Sequence, residues 1–353
     1  MKLSIISFTE NGILLSEKIA KLLDGAECAI YTKCQACYQE EQTVQFIVQS
    51  IGEWTKEQFE ERNALLFIGA CGIAVRAVAP YITDKLHDSP VLVMDEKGQY
   101  VIPILSGHVG GANELALFLA EKTGAKPVIT TATDINHRFA VDLFAKKNGL
   151  TIVNKDAIAK ISSRVLSGQN IVMSVEHGYF EKNIRIPQGI ELIEYPPIQK
   201  VDVVVTSENK EFETTMLLKP KEYAVGIGCK KGKEAEKIED FILSHLQKAG
   251  IASLQVFGLA SIDIKQDESG LLAWSRKEKI PFITYTTEEL RTVKGTFHKS
   301  EFVKEQVGVD NVCERAAMKM CGPGGRLIYE KHAEDGMTIA IARRKWRVHF
   351  DEE

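Results

Sequence analysis

Three times along this chain an apolar run of strand length empties into a glycine-containing turn and then into a helical pattern. The three stretches are LLFIGACGIAVRAVAP (residues 65–80), YVIPILSGHVGGANELALFLA (100–120) and YAVGIGCKKGKEAEKIEDFILSHL (223–246). Short apolar runs that do not alternate with polar residues suit strands covered on both faces. Parallel strands need long crossovers, and helices supply them. The pattern therefore predicts an α/β protein with mostly parallel sheets covered by helices. The first part should be a Rossmann-like lobe and the last a separate α/β lobe.

The rest of the chain is consistent with that frame. Strands are expected over 2–8, 27–31, 64–68, 91–94, 100–104 and 126–129, with the DEKG turn joining the fourth and fifth. Leu15, Ile19, Leu22 and Leu23 mark one face of a helix stopped at Gly25. Thr55 and Gln58 read as a capping box opening a short helix. Residues 73–79 read as a helix ended by Pro80, and residues 112–123 as one closed by Gly124. A helix over 139–148, a strand over 150–153 and a helix capped by Asp156 follow. A less regular stretch holds Pro187, Pro196, Pro197 and Pro220, with a strand over 201–206. Past residue 220, Ile238, Phe241, Ile242, Leu246 and Ala249 share a helical face. Strands fall at 259–264, 281–285 and 327–330, and AEDG reads as a hairpin turn. At ~100–200 residues per domain, the 353 residues divide into 1–136, 137–219 and 220–353.

Composition excludes several classes. Forty-four Lys and Arg face 48 Asp and Glu, and no basic run is interleaved with aromatics, so no nucleic-acid partner is expected. The longest apolar stretch, residues 65–75, is broken by glycines and falls short of the ~18 residues a membrane span needs. The N-terminus reads as a strand and not as a signal peptide, which makes a cytoplasmic location the expectation. Seven cysteines do not suggest a disulfide framework, and Cys34 and Cys37 lack the second pair a zinc site would want. They are expected to be ordinary reduced thiols.

The densest candidate for chemistry is LSGHVGGANELA. Gly107, Gly110 and Gly111 let backbone approach a ligand, and a helix begins there, whose N-terminus favours negative charge. A tight turn explains the glycines but leaves over Ser106, His108 and Asn113. His108 is the only histidine in a glycine-framed turn. His87, His137, His177, His245, His298, His332 and His349 stand singly. Gly69, Gly72 and Arg76 form a second strand–turn–helix, read as an anion-binding loop at the same sheet edge, with a solvated Arg76 as the plain alternative. Thr130, Thr131 and Asp134, in VITTATD, can orient a ligand and can equally cap a helix, and for Asp134 capping alone is the favoured reading. In GIGCKKG, Gly226, Gly228 and Lys230 resemble a dinucleotide fingerprint, but Lys231 stands where its third glycine belongs. No GxxxxGK[ST], HExxH or GxSxG occurs.

These blocks together resemble the cobalt-precorrin-5A hydrolase family, CbiG, of anaerobic cobalamin biosynthesis. The carrying segments are GACGIAVRAVAP, VLVMDEKGQYVIPILSGHVGGANELA, KPVITTATD, YAVGIGCKKG, LASIDIK and the FHKSEFVKEQVGV…VCERAA run, spread over almost the whole chain. The resemblance implies an enzyme that opens the ring A acetate-derived lactone of cobalt-precorrin-5A and gives cobalt-precorrin-5B and acetaldehyde. It implies an anionic cobalt-corrinoid substrate, cobalt carried by that substrate with no cofactor of the protein's own, no membrane partner, and room for transient contacts with neighbouring pathway enzymes. Lactone opening needs an activated water, an oxyanion donor and a proton donor. The expected roles are His108 as base then acid, Glu114 as its orienting group or water ligand, and the Gly110–Gly111 amides as oxyanion donors. Arg76 and Lys230 would meet substrate carboxylates. A corrin-sized ligand suits a cleft between two lobes. A non-catalytic tetrapyrrole-binding or delivery protein is the alternative, and a nucleotide-using enzyme a weaker one.

Overall fold

The computed structural model describes residues 2–23, 27–38, 43–84, 88–136, 138–180, 184–301, 305 and 307–350. Gly25, His87 and His137 lie outside the described residues. The chain divides into two compact units, Met1–Leu143 and Phe144–Glu353.

The first unit is built on a seven-stranded sheet. Its strands are β1 (Leu3–Ser7), β2 (Cys28–Thr32), β3 (Val44–Phe46), β4 (Ala64–Ile68), β5 (Val91–Met94), β6 (Tyr100–Leu105) and β7 (Lys126–Pro127), in the order β3-β2-β1-β4-β5-β6-β7. The helices are α1 (Glu10–Leu22), α2 (Ile51–Glu60), α3 (Cys71–Val78), α4 (Ala112–Thr123) and α5 (Ala132–Ile135), and α6 (Val141–Lys147) runs across the division at Leu143. The α6 helix starts later and ends sooner than the 139–148 expected. Both faces of the sheet are dry. Ala64, Leu66 and Ile68 of β4 pack with Ile19 of α1 and Ala116 and Leu119 of α4, while Leu65 and Phe67 pack with Trp54 of α2 and Ala77 and Val78 of α3. Period-two alternation thus feeds two cores from one uninterrupted apolar run.

β1 to β5 run parallel, and β6 runs antiparallel to β5 with β7 parallel to β6. The cause is the DEKG turn, where Asp95 accepts from the amides of Lys97, Gln99 and Tyr100. A hairpin this short can only join antiparallel strands. The capping box opening α2 is Ser50 with Glu53, not Thr55 with Gln58. Those two lie inside the helix and are buried, Thr55 bonding back to the Ile51 carbonyl at 2.8 Å. Cys34 and Cys37 are joined as a disulfide across the one-turn 3₁₀ helix Gln35–Cys37. This corrects the expectation of reduced thiols, because the tight turn brings their Cα atoms to 5.4 Å and so within bridging range.

The second unit holds two five-stranded sheets. In one, β8 (Leu150–Ile152), β9 (Ile171–Val175), β10 (Ile190–Ile193), β11 (Val201–Val205) and β12 (Thr214–Pro220) lie in the order β10-β9-β11-β12-β8, with α7 (Ala157–Leu166) between the first two strands in sequence. Asp156 occupies the N-cap position of α7 without a side-chain capping bond. The other sheet contains β13 (Tyr223–Cys229), β14 (Val256–Ile262), β15 (Phe282–Tyr285), β16 (Arg326–Glu334) and β17 (Met337–Arg343), ordered β15-β14-β13-β17-β16. Helices α8 (Ala235–Lys248) and α9 (Ser269–Glu278) cover one face through Ile238, Phe241, Ile242, Leu246, Leu271 and Trp274. The other face is covered through Leu290 of α10 (Thr287–Arg291) and Ala316 of α11 (Cys313–Cys321). The AEDG hairpin forms as expected, with Asp335 and Gly336 both at positive φ. Among the described residues no helix is long and apolar enough to cross a membrane.

Candidate active site

β6 ends in a turn that strains its own backbone. Ser106 sits at φ +56°, unusual for a residue with a Cβ. Gly110 packs so closely that a Cβ there would lie 2.2 Å from the Ser106 Cβ and 2.6 Å from its carbonyl oxygen. Gly111 takes φ +89° as the N-cap of α4. The turn closes on itself. The amides of Gly111, Ala112 and Asn113 donate to the carbonyls of His108, Ser106 and Gly107 at 3.0, 3.1 and 3.0 Å. This removes Gly111 as an oxyanion donor, since its N–H is already used. Ser106 Oγ, by contrast, is buried with no hydrogen-bond partner among the described residues.

The turn directs His108 toward the end of the neighbouring strand. Beyond β7 the chain stays extended, Val128 donating to the Val101 carbonyl at 2.9 Å. It therefore delivers Thr131–Asp134 beside the end of β6. His108 Nε2 lies 2.9 Å from Asp134 Oδ1 and 3.0 Å from Thr133 Oγ1. On its other side Nδ1 lies 3.8 Å from Asp142 Oδ1, in the first turn of α6. Asn113 Nδ2 donates to Thr131 Oγ1 at 3.1 Å and to Asp134 Oδ2, which holds the carboxylate in place. The side chains of His108 and Asp142 are only 13% and 9% exposed, that of Asp134 30%. Asp142, Asp134 and their negative charge raise the imidazole above its ordinary value, against burial that pulls it down. The two carboxylates thus favour the protonated form of the ring.

The sequence-predicted residues thus fall into three places. Ser106, Gly107, His108, Gly110, Gly111, Asn113, Thr131 and Asp134 come together. Asp134 lies within α5, its carboxylate directed to His108 and Asn113, so it does not cap that helix. Thr130 is exposed on the approach to that cluster. Glu114 is exposed on the first turn of α4, and Asp134 and Asp142 occupy the ring-nitrogen positions expected of it. Thr133 and Asp142 were not singled out by the sequence. Asp142 follows His108 by 34 residues, and the available signal was a carboxylate in a helix's first turn.

Gly69, Gly72 and Arg76 occupy a second place. They follow β4, which is antiparallel in sense to β6, so their loop lies at the opposite edge of the sheet from His108. The expectation of a shared edge is corrected, and the cause is the hairpin between β5 and β6. The loop stands where the strand order turns about β1 and β4, the usual ligand crevice of an open α/β sheet. The exposed Arg76 guanidinium lies over Gly72, at 3.4 Å from where a Cβ would be, and no carboxylate pairs with it among the described residues.

Gly226, Gly228 and Lys230 belong to the second unit. Gly226 is consumed by packing, because a Cβ there would lie 1.8 Å from the Cys313 carbonyl oxygen of α11. Gly228 and Lys230 line a cavity of about 500 Å³.

Comparison with known proteins agrees along the whole chain. Residues 53–134 match the family model described as Cobalamin synthesis G N-terminal, and residues 223–342 the one described as Cobalamin synthesis G C-terminus. A protein of Priestia megaterium named cobalt-precorrin-5A hydrolase is 30% identical over 353 residues, covering 96% of this chain and 94% of its own. One of the same name from Salmonella typhimurium is 32% identical over 349 residues, covering 96% and 97%. With those matches spanning both units, the chain belongs to the cobalt-precorrin-5A hydrolase family.

Proposed function

We infer that this protein opens the ring A acetate-derived lactone of cobalt-precorrin-5A by hydrolysis and releases the extruded carbon with its methyl group as acetaldehyde, leaving cobalt-precorrin-5B. Family membership supports the reaction. The observation that carries the chemistry is a half-sheltered imidazole held between two carboxylates at a strand end.

In the first step water adds to the lactone carbonyl. Asp134, the more exposed carboxylate, accepts a proton from that water as the carbonyl oxygen gains charge. The acyl–oxygen bond then breaks, and the protonated His108 gives its proton to the departing alkoxide. The proton on Asp134 returns to Nε2 across the 2.9 Å contact, which resets the pair. In the second step Asp134 takes the proton of the new hydroxyl. The carbon–carbon bond breaks, its electron pair stays on the macrocycle, and acetaldehyde leaves with the new carbonyl. His108 supplies the proton that quenches the macrocycle. Water is the only reagent consumed, and cobalt arrives and departs with the substrate, so the proposal asks for no resident cofactor.

The test is incubation of the purified protein with cobalt-precorrin-5A. Acetaldehyde is read by coupled NADH oxidation and the corrinoid by mass. Equal amounts of acetaldehyde and the lactone-opened product are expected. Corrinoid binding without any acetaldehyde would make the chain a carrier instead.

A further inference from the structure

We propose that the cavity of the second unit is a binding site for a macrocycle edge bearing carboxylate side chains, with Lys230 and Lys331 as its anion-binding groups. This rests on the corrinoid reading above and names a place, distinct from the His108 cluster, where this chain holds such a ligand.

The topology puts the cavity where a ligand is expected. β13 is the first strand of its sheet, β14 and β15 extend it on one side, and β17 and β16 on the other. β14 runs parallel to β13 and β17 antiparallel, and the cavity opens at the carboxyl ends of β13 and β14, beside the start of β17. In open α/β sheets ligands bind outside the carboxyl ends of the parallel strands. Its volume, about 500 Å³, lies within the ~300–1,000 Å³ of small-molecule pockets. That volume suits an edge of a tetrapyrrole.

The lining has two parts. Ile262, Ile264, Val307, Val312 and Met337 give an apolar wall, and Ile264 is 66% exposed. A flat hydrocarbon rim would cover that wall. The charges at the rim are sorted by their partners. Lys265 is tied to the buried Glu268 at 3.3 Å, and Glu268 also accepts from the Gly232 amide at 2.7 Å. Asp335 is tied to Lys233. Lys230 and Lys331 keep their ammonium groups out of any ion pair among the described residues, with Glu334 as the acid at the mouth. Gly336 makes room for the Lys230 stem, since a Cβ at that position would lie 2.8 Å from its Cδ. Two ammonium groups with no ion pair among the described residues, beside an apolar wall, fit an amphipathic polyacid, and they select against the same macrocycle with neutral side chains.

The experiment uses the full chain and two visible-absorbing probes. Cobyrinic acid carries free carboxylates, and cobinamide carries amides in their place. Binding is measured by spectroscopic titration in wild type, in Lys230→Glu/Lys331→Glu, and in a control with Lys160→Glu and Lys248→Glu at exposed positions outside the cavity. A second variant, Ile264→Asp, tests the wall. The expected result is at least a tenfold loss of cobyrinic acid affinity in the cavity double variant and in Ile264→Asp. The control should match wild type, and cobinamide should bind more weakly than cobyrinic acid to wild type. Unchanged affinity in the cavity variants, an equal loss in the control, or no cobyrinic acid binding by wild type would each overturn the proposal. Acetaldehyde release by wild type is measured separately, so a failure of the hydrolase reading shows there and not in the titration.

Discussion

The behaviour of His108 follows from what surrounds it. Two carboxylates hold its proton on, with Asp142 foremost. In Asp142→Asn the imidazole should fall back toward the ordinary value of ~6.5. Because the protonated form is the donor, the alkaline limb of the kcat profile should move to lower pH in that variant, and the His108 ring resonances should titrate earlier. An unmoved limb would mean that Asp142 is only structural. The same shift links pH to stability. The folded value lies above the unfolded one, so the imidazolium's stabilisation is complete below about pH 6.5 and is lost as pH rises through the raised folded value. The Tm difference between wild type and His108→Asn should therefore be largest in acid and shrink as pH rises past neutrality. A difference independent of pH would contradict the ion pairing. From the sequence, His108 stood out because glycines frame it. Its partners were half legible, since Asp134 lay in a singled-out motif while Asp142 reaches the ring only through the tertiary fold.

Elements explain where the sequence reading departed from the structure. Strand and helix identities followed from apolar runs and from stops such as Gly124, at φ +79°. The direction of β6 was available too, because the DEKG turn was recognised, yet its consequence is global. One hairpin reverses the strand and carries the SGHVGGAN turn to the far edge of the sheet. The five residues of β4, at ~3.3 Å each, separate Arg76 from that edge by about 16 Å. Arg76→Ala should thus raise KM and leave kcat within about twofold. A kcat fall of tenfold or more would place Arg76 with the reacting atoms. Gly226 shows the opposite error, in which a motif glycine serves packing. Gly226→Ala would drive a Cβ into the α11 backbone, and overpacking of that kind costs typically ~1–3 kcal/mol. The expected outcome is a Tm lower by several degrees in thermal denaturation. A wild-type Tm would show that α11 yields without cost.

For the whole molecule, the α/β class was legible because three long strand–turn–helix runs dominate the chain, and the two matched family segments include all three. Glycine content does not choose among the glycine-rich turns. The proposed assignment of chemistry to the SGHVGGAN turn rests on the acid groups that it faces, and that depends on strand order. The account's central claim is that His108 moves the proton in lactone opening. The most direct measurement is the single-turnover rate of acetaldehyde release from cobalt-precorrin-5A by wild type and His108→Asn, with corrinoid affinity measured on the same samples. General acid–base catalysis contributes ~10²–10⁴-fold, so the variant should be slower by about that factor while binding the corrinoid as wild type does. Release at near wild-type rate by a folded His108→Asn would contradict the account.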